Sequence, residues 1–295
     1  MRGSLAFSSR RSLAASLLLL PALLLLVGLL LFPLASGIGS AFQTTAADGT
    51  TRFVGFKLFK ILAREPRFLA DIGRSAVYVV GNVGVSFLLG YGAALVITRA
   101  SRATGIVRGI LITPWITPPV VSAVIFRSLV DPAGGPVSHL AQQVFGSDFM
   151  ILGNAHSAMA AIILHSVWRS FPFIMLIIAA GIAAIPRELY EAAAVEGCGA
   201  FRRFRYITLP LTRLHCAIVL LIVTMWTIQD AEGVYALTAG GPGYATEVLA
   251  IRLFRESFLN FDVHMAAAIG VVLLAVSGIF AAAYLLLIGG RRLEL

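Results

Sequence analysis

Six apolar stretches separated by short polar segments constrain this chain more than anything else in it. A membrane span needs about 20 mostly apolar residues, because inside hydrocarbon every backbone polar group must be satisfied within the helix. Stretches of that kind lie at roughly 13–34, 75–98, 106–130, 157–185, 213–237 and 265–289. They predict an all-α fold, a polytopic membrane helix bundle with six transmembrane helices. The composition agrees: 59% of the 295 residues are hydrophobic and 13% charged, against about 25% charged in soluble domains. The fourth stretch is interrupted only by Arg169 and could be two short helices turning at WRSFP; one long helix kinked at Pro172 is preferred, since a second short piece would hardly span. The first stretch follows Arg2, Arg10 and Arg11 as a signal peptide would, but it exceeds the 7–15 residues of a signal core and reads as a retained helix.

Charge placement sets the expected orientation. With the N-terminus inside, the cytoplasmic set is Arg2, Arg10, Arg11, Arg99, Arg102, Arg108, Arg187, Arg202, Arg203, Arg205, Arg213, Arg291 and Arg292. The other face carries Arg52, Lys57, Lys60, Arg64, Arg67, Arg74, Arg127, Arg252 and Arg255, six of them in the segment 35–74. That segment conflicts with the rule. Its FVGFKLFKILAREPRF reads either as an amphipathic helix at the outer interface or as a solvated basic loop. The formal charge of +9 sits in short clusters between apolar runs, which fits headgroups and topology and gives no nucleic-acid surface. Cys198 and Cys216 have no framework spacing, His139, His156, His215 and His264 have no metal spacing, and His165 and Trp168 read as packing residues of the fourth span.

The most polar part of the second half is RELYEAAAVEGCGAFRRFRYITLPLTR, Arg187 to Arg213. Pro186 closes the fourth span, and Glu188 and Glu191 among good helix formers open a short helix. Gly197 and Gly199 break it, and a second short helix runs to Pro210. Small residues beside a glycine let another backbone approach, which suits docking into a groove on a partner; an ordinary interfacial loop is the alternative.

Glu191-Ala192-Ala193, then Gly197, then Ile207-Thr208-Leu209-Pro210 resembles the EAA loop of the inner-membrane permeases of binding-protein-dependent ABC importers. Glu196 stands where that family usually has Asp, Cys198 where it has Ala, and the Pro that usually follows LP is replaced by Thr212-Arg213. LLLLPALLLLVGLLLFPL, FVGF from Phe53, TPWITPPVVSAVIFRSLVDPAGG from Thr113, VWRSFPF from Val167 and VYALTAGGPGYATEVLAIRLFRESF from Val234 resemble landmarks of the carbohydrate class, and LTAGGP resembles its first-type, MalF-like subunit. The usual Asn-Tyr after FVGF is Leu58-Phe59 here.

The resemblance implies a type I importer permease with a MetI-like fold: a cytoplasmic N-terminus at 1–12, a transmembrane domain at 13–290 with its coupling loop at 186–212, and a cytoplasmic C-terminus at 291–295. It implies coupling to an ATPase through Glu191, Ala192, Ala193, Glu196, Gly197, Arg202, Leu209 and Pro210. The partners it implies are a second homologous permease, two copies of an ATP-binding subunit, and an extracytoplasmic solute-binding protein that delivers a sugar. ATP and Mg would be held by the ATPase subunits; this chain lacks the G-x-x-x-x-G-K-[ST] phosphate loop, and no cofactor or metal is expected on it.

An ionisable side chain in the membrane core costs about 2.5–3.5 kcal/mol on insertion scales and faces a cavity or a partner. Arg169, Gln229, Asp230 and Glu232 are therefore candidates for a substrate path, with Trp226 and Tyr235 as aromatic faces for a sugar. A structural ion pair from Arg169 to Asp230 or Glu232 is the competing reading. Gly240, Gly241 and Pro242 either dip toward that path or form a plain turn. The carboxylates favour neutral or cationic sugars, and Arg169 works the other way. A stand-alone secondary transporter or channel is the alternative function, weakened by the lack of an inverted repeat; an enzyme lacks a nucleophile and base.

Overall fold

The computed structural model describes residues 20–21, 23–46, 48–98 and 102–289. Arg2, Arg10, Arg11, Arg99, Arg291, Arg292, the two terminal segments and residues 13–19 of the first expected span lie outside them. Among the described residues four helices are long and apolar enough to cross a membrane: α1 (Leu23–Ser40), α3 (Pro66–Ile97), α7 (Ala155–Ala183) and α13 (Val263–Gly289). The number rises to as many as six if each of two bent pairs is one span, α4 (Arg102–Ile116) with α5 (Pro119–Leu129), and α9 (Ala200–Leu211) with α10 (Arg213–Ile228).

The fourth expected span is a single helix, α7, with Pro172 inside it. Its start is capped by Asn154, whose side chain accepts from the backbone N–H of His156 and Ser157. The third, expected as one helix over 106–130, is bent by 101°. Thr117 precedes Pro118, which disfavours helical geometry, and Pro119 then starts α5 at a position where its missing N–H costs nothing. The fifth, expected over 213–237, stops at Ile228, and a separate short helix α11 (Glu232–Thr238) follows after three intervening residues. Pro210 does not end the preceding segment; α9 runs through it on a π-turn at Phe204–Thr208 and bends at buried Thr212, whose hydroxyl pairs with that of Tyr91 at 2.8 Å.

α3 and α7 cross at the centre of the bundle. A Cβ on Gly90 would stand 2.7 Å from both the Phe171 carbonyl oxygen and Ile174 Cβ, so glycine sets how close the two backbones come. Around that crossing Tyr91, Ile174, Met175, Ile178, Val219 and Val223 form one buried cluster. The segment after α1 adds a small hairpin, β1 (Gln43–Thr45) antiparallel to β2 (Thr51–Phe53), to the otherwise helical fold. It is followed by α2 (Lys57–Arg64), the helix among the two open readings of that segment, whose Leu58 and Leu62 are buried with Phe68, Ala268 and Ile269. Leu58 and Phe59 therefore supply the packing where the family has Asn-Tyr: Leu58 enters the core and Phe59 packs in tilted contacts against Phe42 and Phe56. α6 (Pro136–Phe145) and α12 (Leu249–Phe258) complete the element order with α8 (Arg187–Val195).

At the hairpin end, five of the nine basic residues assigned to the outer face are ion-paired. Arg52 meets Asp48, Arg67 and Arg255 share Glu247, Arg74 meets Asp71, and Arg252 holds Glu65 and Glu256. Glu247 and Asp71 are fully buried, so these arginines are structural partners of carboxylates at that end.

Candidate functional site

Both helix breaks open onto one cavity of ≈ 440 Å³. Trp115 and Pro119 reach it from the α4–α5 break, and Gln229, Asp230, Ala231 and Glu232 from the α10–α11 break. Asn82 of α3, Ser166, Arg169 and Ser170 of α7, and Trp226 and Thr227 of α10 close it. Of the expected path residues, Arg169, Trp226, Gln229, Asp230 and Glu232 thus come together. Tyr235 does not line this cavity; its ring packs on Phe254 at 4.6 Å. Gly240, Gly241 and Pro242 lie with the ion-paired end, where Gly240 (φ +86°) sits against Ile251 and Arg255 and the Gly241–Pro242 peptide is cis.

Asp230 is held by Tyr78, whose hydroxyl donates to Oδ2 at 2.6 Å, and by the backbone N–H of Gly233, which donates to Oδ1 at 3.0 Å at the start of α11. Tyr78 is buried and also pairs with Ser166. Among the described residues Arg169 forms no ion pair, so the structural pairing with Asp230 or Glu232 is not made, and its Nε is buried without a hydrogen-bond partner. Asn82, 2% exposed, donates from Nδ2 to Thr227 at 2.7 Å and leaves Oδ1 unpartnered. Both unpartnered atoms belong to cavity-lining side chains and are themselves shielded from solvent. Beside them stands an aromatic wall, with Phe173 between Trp115 (5.6 Å between centroids) and Trp226 (4.8 Å). Asn82, Trp115, Ser166 and Ser170 are cavity residues that the sequence did not single out. The signal for Asn82 was a lone amide inside an apolar run, which membrane burial makes costly unless it serves a partner.

The expected coupling residues form a second feature. α8 carries Glu191, Ala192 and Ala193; Glu196 caps it and Gly197 turns the chain at φ +73°, where a Cβ would have nothing within 4 Å. Arg202, Leu209 and Pro210 lie on α9, and Tyr190 of α8 pairs with Thr208 of α9 at 2.9 Å, tying the two helices together. Val195, Phe201 and Tyr206 are 88%, 78% and 74% exposed, so this polar segment presents bare apolar side chains.

Broken helices around a polar cavity, with an exposed helix–turn–helix at one end, fit the class of membrane transport permeases. Residues 86–292 match the family described as binding-protein-dependent transport system inner membrane component, and the chain belongs to it. Similar curated proteins include the sulfoquinovosyl glycerol transport system permease SmoG of Agrobacterium fabrum (30% identical, 94% of this chain and 90% of that one). The trehalose/maltose permease MalF of Thermococcus litoralis is 32% identical over 75% of this chain and 74% of its own length. The sn-glycerol-3-phosphate permease UgpA of Yersinia pestis is 29% identical over 88% of each chain. Among solved structures, a bacterial ABC transporter involved in the import of the acidic polysaccharide alginate matches with a TM-score of 0.82 at 20% identity, over 99% of both chains. The alginate transporter in complex with its pentasaccharide-bound periplasmic protein matches at 0.80, 20% identity and 93% of each chain. The chain is a permease subunit of a binding-protein-dependent ABC importer, itself not catalytic, and a multi-pass protein of the inner membrane.

Proposed function

We propose that this permease passes a sugar or sugar derivative through the cavity between its two helix breaks, sharing the path with a second, homologous permease. The observation that carries the reading is the cavity wall itself. Asn82, Ser166, Arg169, Gln229 and Glu232 line it beside Trp115 and Trp226, and the hydroxyls of a pyranose ring can bond such polar side chains while the ring's C–H face covers an indole. The substrates after which the relatives are named, a sulfoquinovosyl glycerol, trehalose or maltose, and a glycerol phosphate, support a polyhydroxylated cargo.

In this reading both termini and the α8–α9 turn are cytoplasmic, and the hairpin end faces the extracytoplasmic solute-binding protein. Residues 13–290 make up the transmembrane domain. Two copies of an ATP-binding subunit hold ATP and Mg, and the exposed surface at Glu191, Ala192, Ala193, Glu196, Gly197, Arg202, Leu209 and Pro210 docks onto one of them. Their closure moves α8, and the bundle passes between inward-facing and outward-facing states. The test is to isolate the complex from its native membrane in mild detergent, identify the solute-binding protein, screen it against a sugar panel, and measure uptake of the bound sugar. Asn82→Leu should lower uptake at least tenfold at low substrate while the complex stays assembled; unchanged uptake would remove the cavity from the path.

A further inference from the structure

We propose that α2 is a binding surface for anionic phospholipid headgroups in the leaflet at the hairpin end. Lys57, Lys60 and Arg64 fall at i, i+3 and i+7, so they form one stripe along the helix, with Ile61 inside it. Among the described residues none of the three has a carboxylate partner, whereas the five arginines around them are ion-paired. The next acidic residue, Glu65, is occupied by Arg252 at 2.9 Å. The stripe is thus an uncompensated row of three cations at an end of the molecule where, among the described residues, the other cations except Arg127 are ion-paired.

The depth of α2 favours a lipid over an acidic soluble protein. Its buried face, Leu58 and Leu62, shares a core with Ala268 and Ile269, which lie one to two turns inside the membrane-spanning helix α13. By contrast the hairpin meets α13 at its first turn, where Thr45 pairs with His264. α2 therefore packs alongside the end of the spans, at the level of the headgroups. Its surroundings are apolar as well as basic: Phe53, Phe56 and Ile61 are 77%, 66% and 45% exposed. Exposed aromatic and aliphatic side chains interleaved with lysine and arginine are what an interfacial helix presents to acyl chains and phosphates together. The proposal depends on the membrane embedding of the bundle and is independent of what the cavity carries.

The test uses the full-length chain, purified with its partners in mild detergent and doped with equal amounts of phosphatidylglycerol and phosphatidylethanolamine, and counts retained lipids by native mass spectrometry. Wild type should retain phosphatidylglycerol preferentially. Lys57→Gln/Lys60→Gln/Arg64→Gln should lower that retention about tenfold or more, given the contribution of each basic side chain at an anionic surface. Lys57→Arg/Lys60→Arg/Arg64→Lys should preserve it, and Arg127→Gln, an exposed cation of the same expected face, should leave it unchanged. Equal retention of the two lipids by wild type, or an undiminished preference in the triple Gln variant, would overturn the proposal. So would a triple Gln variant that keeps its lipid but loses affinity for the solute-binding protein, since the stripe would then belong to that partner.

Discussion

Replacing Glu247 by Gln tests whether a buried carboxylate holds the hairpin end together. Glu247 has no exposed side-chain surface; Arg67 donates to it at 2.6, 2.9 and 3.1 Å and Arg255 at 3.0 Å. The Tyr244 ring lies 3.5 Å from the Arg67 guanidinium and 5.2 Å from that of Arg255. Gln keeps the volume and removes the charge, so two guanidiniums lose their common partner. Breaking a buried pair costs about 3–5 kcal/mol. The two arginine side chains retain 30% and 23% of their exposure and recover part of this from solvent, which lowers the expected loss to about 2–3 kcal/mol. Reversible unfolding in mixed micelles measures that loss. A cycle with Arg67→Gln should give a coupling of about 1–3 kcal/mol. The carboxylate also fixes the loop from Ala239 to Thr246 against the start of α3, so amide exchange there should speed up about 30-fold or more in Glu247→Gln. A loss under about 0.5 kcal/mol with zero coupling to Arg67 would refute the reasoning, because a partnered buried charge cannot be removed so cheaply.

Gly90→Val should drive α3 and α7 apart, since its Cβ meets a backbone carbonyl that cannot rotate away; a loss of more than about 2 kcal/mol in the same unfolding assay is expected. Gly84→Ala on the same helix, with nothing within 4 Å, should be tolerated. Gly197→Leu meets no neighbour, yet its φ of +73° costs about 1–2 kcal/mol for an L-residue, so the α8–α9 turn should distort and ATP hydrolysis by the complex should proceed with uptake reduced at least tenfold. Normal coupled uptake would detach this turn from the ATPase. Glu232 is exposed at the cavity, so Glu232→Gln should raise the KM for uptake severalfold if it contacts substrate; unchanged uptake at low substrate would assign it only to the first turn of α11.

The apolar runs predicted the bundle because hydrocarbon leaves a backbone few alternatives, and the continuous α7 followed from the length needed on either side of Pro172. The helix, glycine turn and helix around Gly197 were equally legible, since helix formers and a positive-φ glycine are local properties. Where helices stop inside the membrane was not legible. Hydropathy does not distinguish a straight span over 106–130 from one bent by 101°, nor does it show that α10 ends at Ile228 rather than Leu237. The partners of charged residues were also hidden. Glu247 follows an ordinary turn, and only the fold brings Arg67, 180 residues away, to its carboxylate. Tyr235 shows the limit of assigning a site by residue type: an aromatic two turns from Trp226 faces Phe254 once the helix between them is broken.

That the two breaks share one cavity follows from what a broken membrane helix requires. In a continuous α4 the carbonyls of Pro114 and Trp115 would accept from residues 118 and 119, and both are prolines without an N–H. At the other break, Gln229, Asp230 and Ala231 lie between α10 and α11, and Asp230 satisfies the N–H of Gly233 through its own carboxylate. Freed backbone groups are tolerated at membrane depth only where protein or a polar cavity meets them. Facing the two breaks toward each other lets one polar space serve both, and the side chains collected there, Asn82 with an unused acceptor and Arg169 with an unused donor, extend the same property. A bundle shaped only by stability would have filled this space with Leu and Val. The polar cavity between the two interruptions is therefore the part of the fold that stability does not explain, and under the proposed function it is where a transported molecule exchanges its hydration for protein contacts.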